Sequence, residues 1–309
     1  MTAAATVVGA TGTATADATT AHAGRGVARL GVALDPARRF GVEIECFVPS
    51  WWALVDALAA AGVPAYGTRY DEDDDWECEC APDECDCDNV ETFGTATDGA
   101  WQLKDDCTLR HDTLASVELV SPILCGADGL RQLAAVGRAL HAVGAAVNRS
   151  GGLHVHHDIR DLDVHAMRRL ARNYDGALDV IEGVLAPSRH HDSPHAYNGH
   201  WRAQEAAWAR ATTPHDLACH SYRAILNFSC FPQYGTVEFR QHHGTTDARK
   251  IAQWVAFGQQ LLASAVAERD VTATTVDQLA DALGFAPTQR AFWHARTAAL
   301  AGGEERAAA

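Results

Sequence analysis

The chain has 309 residues, with 25 Lys and Arg against 40 Asp and Glu and a formal charge of −15. Apolar residues make up 47% and charged residues 21%, which excludes collagen-like, coiled-coil and wholly disordered architectures. No stretch approaches the ~20 uncharged apolar residues of a membrane-spanning helix, and the acidic balance argues against a nucleic-acid partner held through its phosphates.

The acidity is local. Eleven acidic and no basic side chains lie between Asp71 and Asp88, so the remainder of the chain carries only −4. The net charge therefore describes one loop, not the field around the whole molecule. Nine cysteines are an odd number in a long chain, which speaks against a disulfide scaffold and makes a reducing cytoplasm the expected location.

In chain order, residues 1 to 33 read as a disordered leader, since sixteen of the first 24 are Ala or Thr and too little apolar surface is present to offset the entropy of ordering. A single catalytic domain is expected over residues 34–302, with an acidic Cys-rich insert at 66–92 and a short tail at 303–309. In Phe40-Gly41-Val42-Glu43-Ile44-Glu45-Cys46, apolar and acidic residues alternate. That period of two predicts a strand with two carboxylates on one face. Pro49-Ser50 opens a helix from Trp51 to Ala61. Strands follow at 101–104 and 115–120, then a helix at 129–143, whose leucines and valines recur at helical spacing. His154 and His156 alternate with apolar residues in the next strand. A long amphipathic helix is expected over 164–185, strands over 222–228 and 235–241, and closing helices over 248–269, 274–283 and 287–300. Strands adjacent to strands argue for an α+β fold with an antiparallel sheet covered by helices on one face.

Residues two apart on a strand share a face. One face therefore collects Glu43, Glu45, Glu118, His154, His156, Glu238 and Arg240. A plain solvated face would mix in Lys, Thr, Ser and Gln. Carboxylates this concentrated repel one another unless cations neutralise them, so replacing one is expected to relieve strain in the metal-free protein. Hard divalent cations with oxygen ligands and a completing His suit such a set. An Arg fork suits a phosphate held across the cations.

The ordered series Phe-Gly-Val-Glu-Ile-Glu (40–45), Trp101 followed by Asp106, Val-Glu-Leu-Val-Ser-Pro (117–122), Gly-Leu-His-Val-His (152–156), Ser-Arg (188–189), Tyr-Arg-Ala-Ile-Leu-Asn (222–227) and Gly-Thr-Val-Glu-Phe-Arg (235–240), extending into His243-Gly244-Thr245 and Trp254, resembles the amidoligase family over residues 38 to 270. These are carboxylate–amine ligases related to glutamine synthetase and glutamate–cysteine ligase. The resemblance implies a glutamine-synthetase-like curved antiparallel sheet, or half-barrel. It implies that Glu43 and Glu45 divide their carboxylates between two metal sites, joined by Glu118, His154 and Glu238, with Mg²⁺ or Mn²⁺ as the ions. Arg240 would meet the ATP phosphates. The four glutamates and Arg240 would form the catalytic set, Arg189 and Arg223 would bind phosphate or a substrate carboxylate, and Asn227 would orient substrate. Where the family often reads Asp-Gly-Ser, this chain has Asp106-Cys107-Thr108. The lost glycine changes the turn and sets Asp106 apart from the glutamates. His156 and His157 have no assigned role.

The insert carries Cys78-x-Cys80 and Cys85-x-Cys87. Four thiolates could hold a structural Zn²⁺; the alternative is an acidic flap with free thiols. His190, His191, His195 and His200 follow no ligand spacing and read as scattered surface histidines.

The activity expected from the resemblance is ATP- and Mg²⁺-dependent amide or isopeptide formation through an acyl-phosphate, ADP-forming, on an amino acid, peptide or protein with an amine co-substrate. A metal-dependent hydrolase using the same His/Glu face, and an inactive peptide-binding module, are the alternatives. Neither a nucleic acid nor a membrane is expected as partner.

Overall fold

The structure is a computed structural model and describes residues 27–70, 90–190, 208–219 and 224–302. The Cys-rich insert cysteines, Arg223, His191, His195 and His200 lie outside the described residues.

Strand β1 (Phe40–Val48) is the organising element. Phe40, Val42, Ile44, Cys46 and Val48 are buried on one of its faces, and Glu43 and Glu45 stand on the other. It pairs antiparallel with β5 (Ala115–Val120) on one side and β6 (Gly152–Asp158) on the other. The remaining strands are β2 (Ala65–Tyr70), β3 (Val90–Gly94), β4 (Trp101–Lys104), β7 (Leu226–Asn227) and β8 (Thr236–His243). Together they make an open eight-stranded sheet in the order β3-β2-β4-β5-β1-β6-β8-β7.

The expectation of a wholly antiparallel sheet is corrected at one pair, since β2 and β4 run parallel. The cause is local. Strand β3 ends beside the start of β2, at Tyr66↔Gly94. The short connection that follows passes that end and begins β4 opposite Ala65. Gly94 permits the turn at φ +67°, where a Cβ would lie 2.2 Å from the Ala65 carbonyl oxygen. The insert is also narrower than expected, because β2 and β3 occupy both ends of the 66–92 span.

Helices cover the apolar face, apart from the short one at Phe231–Tyr234, whose Tyr234 borders a cleft on the polar face. They are α1 (Trp51–Ala60), α2 (Gly126–Ala142), α3 (Val164–Gly176), α4 (Leu178–Glu182), α5 (Pro214–Cys219), α6 (Phe231–Tyr234), α7 (Ala248–Val266), α8 (Val276–Leu283) and α9 (Pro287–Ala301). Ser50 caps α1 by accepting from the Ala53 amide at 3.1 Å, as expected of a serine before a helix. Helix α7 packs so closely on β6 that a Cβ at Gly258 would lie 2.4 Å from His157 Nε2. The single helix expected over 164–185 breaks at Ala177. There the Gly176 carbonyl accepts from Ala273 N, and Asn173 is turned inward to bond Ser264, Arg269 and Val271.

Part of the expected leader is folded. Leu30 and Leu34 are buried, Gln253 donates to the Leu30 carbonyl at 2.9 Å, and Thr288 donates to the Gly31 carbonyl at 2.7 Å. Val27, Leu30, Val32 and Leu34 supply apolar surface that the Ala/Thr-rich stretch before them lacks. Among the described residues no helix is long and apolar enough to cross a membrane.

His157 lies on the apolar face, fully buried between Phe40 and Phe239, with neither ring nitrogen hydrogen-bonded. Burial, then the charges of Arg38 and His156, push its pKa down to about 3. The unfolded chain binds this proton near the usual histidine value of 6.5, so unfolding takes up a proton between those two pH values. The stability His157 contributes is present above that window and is lost as pH falls through it. His157→Leu is expected to flatten the fall of melting temperature between pH 6.5 and 4, checked by thermal denaturation across that range.

Candidate active site

The strand register brings the expected polar residues onto one face. Glu43 stands opposite His154, Glu45 opposite Glu118, His156 opposite Glu238, and Glu238 opposite Asn227. Directly opposed residues point to the same side of a sheet, so these four pairings alone put the cluster together.

His154 sits at its centre. Its Nδ1 lies 3.2 Å from Glu43 Oε2 and 3.5 Å from Glu238 Oε1, while its Nε2 lies 3.6 Å from Glu45 Oε1. His156 Nε2 lies 3.2 Å from the other Glu43 oxygen. Burial opposes ionisation of Glu43, but the hydrogen bond with His154 and the close approach of His156 outweigh it and hold this carboxyl far below the usual carboxylate range. For His156 burial likewise favours the neutral form; the nearby Cys230 and Glu43 and the Glu238 charge override it and raise the pKa to about 10. Glu238 Oε2 accepts from Asn227 Nδ2 at 2.9 Å and from the Cys230 thiol at 3.6 Å, and its other oxygen accepts from Arg240.

Two subclusters can be separated by donor chemistry. Ligand atoms of Glu43, His156 and Glu238 lie within 4.8 Å of one another, as do those of Glu45, Asp106 and Glu118. Each set fits a divalent cation, the second with oxygen donors alone. Asp106, set apart in the sequence for want of a glycine after it, thus reaches the site. Thr108 closes the turn instead, its amide and hydroxyl both donating to Asp106 Oδ1 at 2.8 and 2.7 Å, an Asx turn that needs no glycine.

Arg240 lies at a bulge. Leu153 pairs with His242 and Val155 with Phe239, so Arg240 and Gln241 together oppose His154. Alternation from Glu238 turns Gln241 into the core, where it accepts from Tyr174 and donates to Glu182, and the extra residue brings His242 opposite Leu153 on that same apolar face. Arg240 meanwhile stays on the site face, one third exposed. Bulges re-aim side chains in this way beside functional sites.

Two further expected residues make contacts within the protein. Asn227 spends its amide nitrogen on Glu238 and its oxygen on the Ser229 amide at 2.9 Å, so it positions a glutamate. Arg189 is buried and donates to the carbonyls of Ser150 and Gly151, bracing the loop that enters β6. Cys230 had no sequence signal; it is a lone cysteine in a turn, brought to Glu238 by the β7–β8 pairing. A cleft of ≈ 350 Å³ opens beside Glu43 and His156, bounded by Lys104, Arg39, Arg160 and the exposed Ile123 and Tyr234.

The metal-free face is strained at one point. Burial and the charges of Glu43 and Glu45, only partly countered by Lys104 at 3.9 Å, raise the Glu118 pKa to about 7. The usual value is 4.5, so the contribution of Glu118 to stability is full below that pH and lost as pH rises through 7. Glu118→Gln is expected to stabilise the metal-free protein at pH 8 by on the order of 3 kcal/mol, with no difference at pH 4 and a smaller one once Mg²⁺ is added. Chemical denaturation at the two pH values checks this.

The family model described as "putative amidoligase enzyme" matches residues 36–262. The chain belongs to the amidoligase family. A comparison with curated proteins finds no match.

Proposed function

We propose that the protein is an ATP-dependent carboxylate–amine ligase that activates its donor as an acyl-phosphate and releases ADP. The observation that carries this reading is the pairing of two cation-ready subclusters with a partly exposed Arg240 on one sheet face. Phosphoryl transfer calls for this combination, in which positive charge meets the oxygens of the transferring group. On this reading the fold is of the glutamine-synthetase type and the site works in a cytoplasmic setting.

The residues divide the work as follows. Glu43, His156 and Glu238 would hold one cation, with His154 beside them, and Glu45, Asp106 and Glu118 would hold the other. A divalent cation in each position would supply positive charge against the triphosphate. Arg240 offers its planar fork to the γ-phosphate, exchanging Glu238 for the incoming oxygens. Asn227 keeps Glu238 in place through that exchange. The cleft beside Glu43 takes the nucleotide, with Tyr234 and Ile123 providing apolar surface for the base and Arg39, Arg160 and Lys104 positive charge at its rim. A donor carboxylate oxygen attacks the γ-phosphorus and ADP leaves; the amine then attacks the acyl carbon and phosphate leaves. An amino acid, peptide or protein fits as donor.

The test is the identity of the nucleotide product. The protein is incubated with ATP, Mg²⁺, a panel of amino acids and peptides, and hydroxylamine as a small strong nucleophile. ADP with an equal amount of hydroxamate is expected. AMP would replace the reading with an adenylating one, and product formed at the same rate without nucleotide would make the protein a hydrolase or transferase.

A further inference from the structure

The two subclusters differ in the kind of atom they offer. Glu45, Asp106 and Glu118 present carboxylate oxygens only. The neighbouring set presents Glu43 and Glu238 oxygens together with an imidazole nitrogen of His156. Around it stand two further soft donors, His154 Nδ1 at 3.2 Å from Glu43 and 3.5 Å from Glu238, and the Cys230 thiol at 3.6 Å from Glu238 Oε2. Cys230 is half-buried and is not paired in a disulfide. His156 Nε2 is buried and has no well-formed hydrogen bond, although Glu43 Oε1 lies 3.2 Å away. A nitrogen held near an acceptor but misaligned with it suits a ligand whose cation sits between the two.

The geometry points to a site with two unlike centres, in which the Glu43–His156–Glu238 centre, with Cys230 as an additional ligand, takes a borderline metal of the Zn²⁺ or Co²⁺ type and leaves Mg²⁺ to the Glu45–Asp106–Glu118 centre. This rests on the reading of the polar face as a two-cation site.

Ligand softness is the physical basis. Mg²⁺ demands near-octahedral oxygen and gives up its water reluctantly, so a mixed nitrogen, oxygen and sulfur set is a poor host for it. Imidazole and thiolate favour zinc, cobalt and their neighbours. The surroundings also supply what such ligands need. Thr236 Oγ1 lies 3.3 Å from His156 Nδ1, and Glu45 lies 3.6 Å from His154 Nε2. A partner on the far nitrogen fixes an imidazole's tautomer and orientation toward a metal. Asn227 holds Glu238 from behind at 2.9 Å. The all-oxygen set has no imidazole or sulfur and is bordered by Lys104 instead.

The test uses the full chain and reads the metal rather than turnover. In one arm, purified metal-free protein in which Cys78, Cys80, Cys85 and Cys87 are replaced by Ser is alkylated with iodoacetamide with and without one equivalent of Zn²⁺, and each cysteine is followed by peptide mass spectrometry. Zn²⁺ is expected to slow alkylation of Cys230 ~10-fold or more, while the exposed Cys107 and Cys125 react as before; millimolar Mg²⁺ is expected to leave Cys230 reactive. Equal Cys230 rates with and without Zn²⁺ would overturn the inference.

In the second arm, Cys78, Cys80, Cys85 and Cys87 are replaced by Ser so that the insert contributes no thiol, and Co²⁺ is added. A thiolate-to-cobalt charge-transfer band is expected. It should disappear in Cys230→Ser, and His156→Gln should weaken Co²⁺ binding ~10-fold or more. A band that survives Cys230→Ser, or no band at all, would overturn the inference. Because neither arm involves ATP, failure here leaves the ligase reading standing, and failure of ATP-dependent turnover leaves these metal measurements intact.

Discussion

Arg240→Ala is expected to lower ATP-dependent hydroxamate formation ~10²-fold or more while the protein keeps its fold. In the resting site the guanidinium bonds Glu238, which retains Asn227 and Cys230 as partners when Arg240 is removed. The fold should therefore feel little. The loss arises because a cationic fork on the transferring phosphoryl group counts most when charge spreads over its oxygens, so kcat should fall more than KM for ATP rises. Arg240→Lys should recover little of the activity, because an ammonium point charge does not reproduce two parallel N–H donors in a plane. Steady-state kinetics on the three proteins, with melting temperatures alongside, check the prediction. A loss confined to KM would place Arg240 in ground-state binding alone.

Glu43→Gln should behave in the opposite way to Glu118→Gln. Simple repulsion would make removal of any carboxylate stabilising, but Glu43 is not held by repulsion. It faces His154 and His156 at 3.2 Å each, and those contacts keep it ionised. Glu→Gln leaves the positive charge on His156 with Glu238 Oε1 as its nearest remaining carboxylate, 3.9 Å away. The metal-free protein should lose on the order of 2–3 kcal/mol of stability at pH 7, and metal-dependent ATP binding should weaken sharply. Parallel thermal melts and calorimetric titrations of wild type, Glu43→Gln and Glu118→Gln give the comparison. Equal stabilisation by both substitutions would show that undirected repulsion governs the face.

The period-two alternation around Glu43, Glu45, His154, His156 and Glu238 was enough to place these side chains on one sheet face, because strand geometry leaves only two faces to choose from. What alternation does not carry is register. Which glutamate meets which histidine depends on the pairing of β1 with β5 and β6, set by contacts far apart in sequence. The bulge that carries His242 onto the same face as Leu153 has no local signature either. Asp106 was undervalued for a local reason, since a turn normally given to glycine is closed here by a threonine hydroxyl. The parallel β2–β4 pair and the break at Ala177 were hidden because both follow from tertiary contacts, the first from a chain return past the end of β2 and the second from the docking of Gly176 on residues 271–273. The buried Leu30 shows the converse, a short apolar run masked by the low-complexity residues before it.

The central claim is that the donor carboxylate is phosphorylated before the amine attacks. Oxygen-18 placed in both carboxylate oxygens of a donor identified by hydroxamate formation tests it most directly, with the released phosphate analysed by mass spectrometry. Attack of the carboxylate on the γ-phosphorus leaves one donor oxygen on that phosphorus when the amide forms. The account therefore predicts one oxygen-18 in each phosphate released, with ADP appearing in equal amount. Phosphate free of label, or label carried instead into AMP, would contradict it.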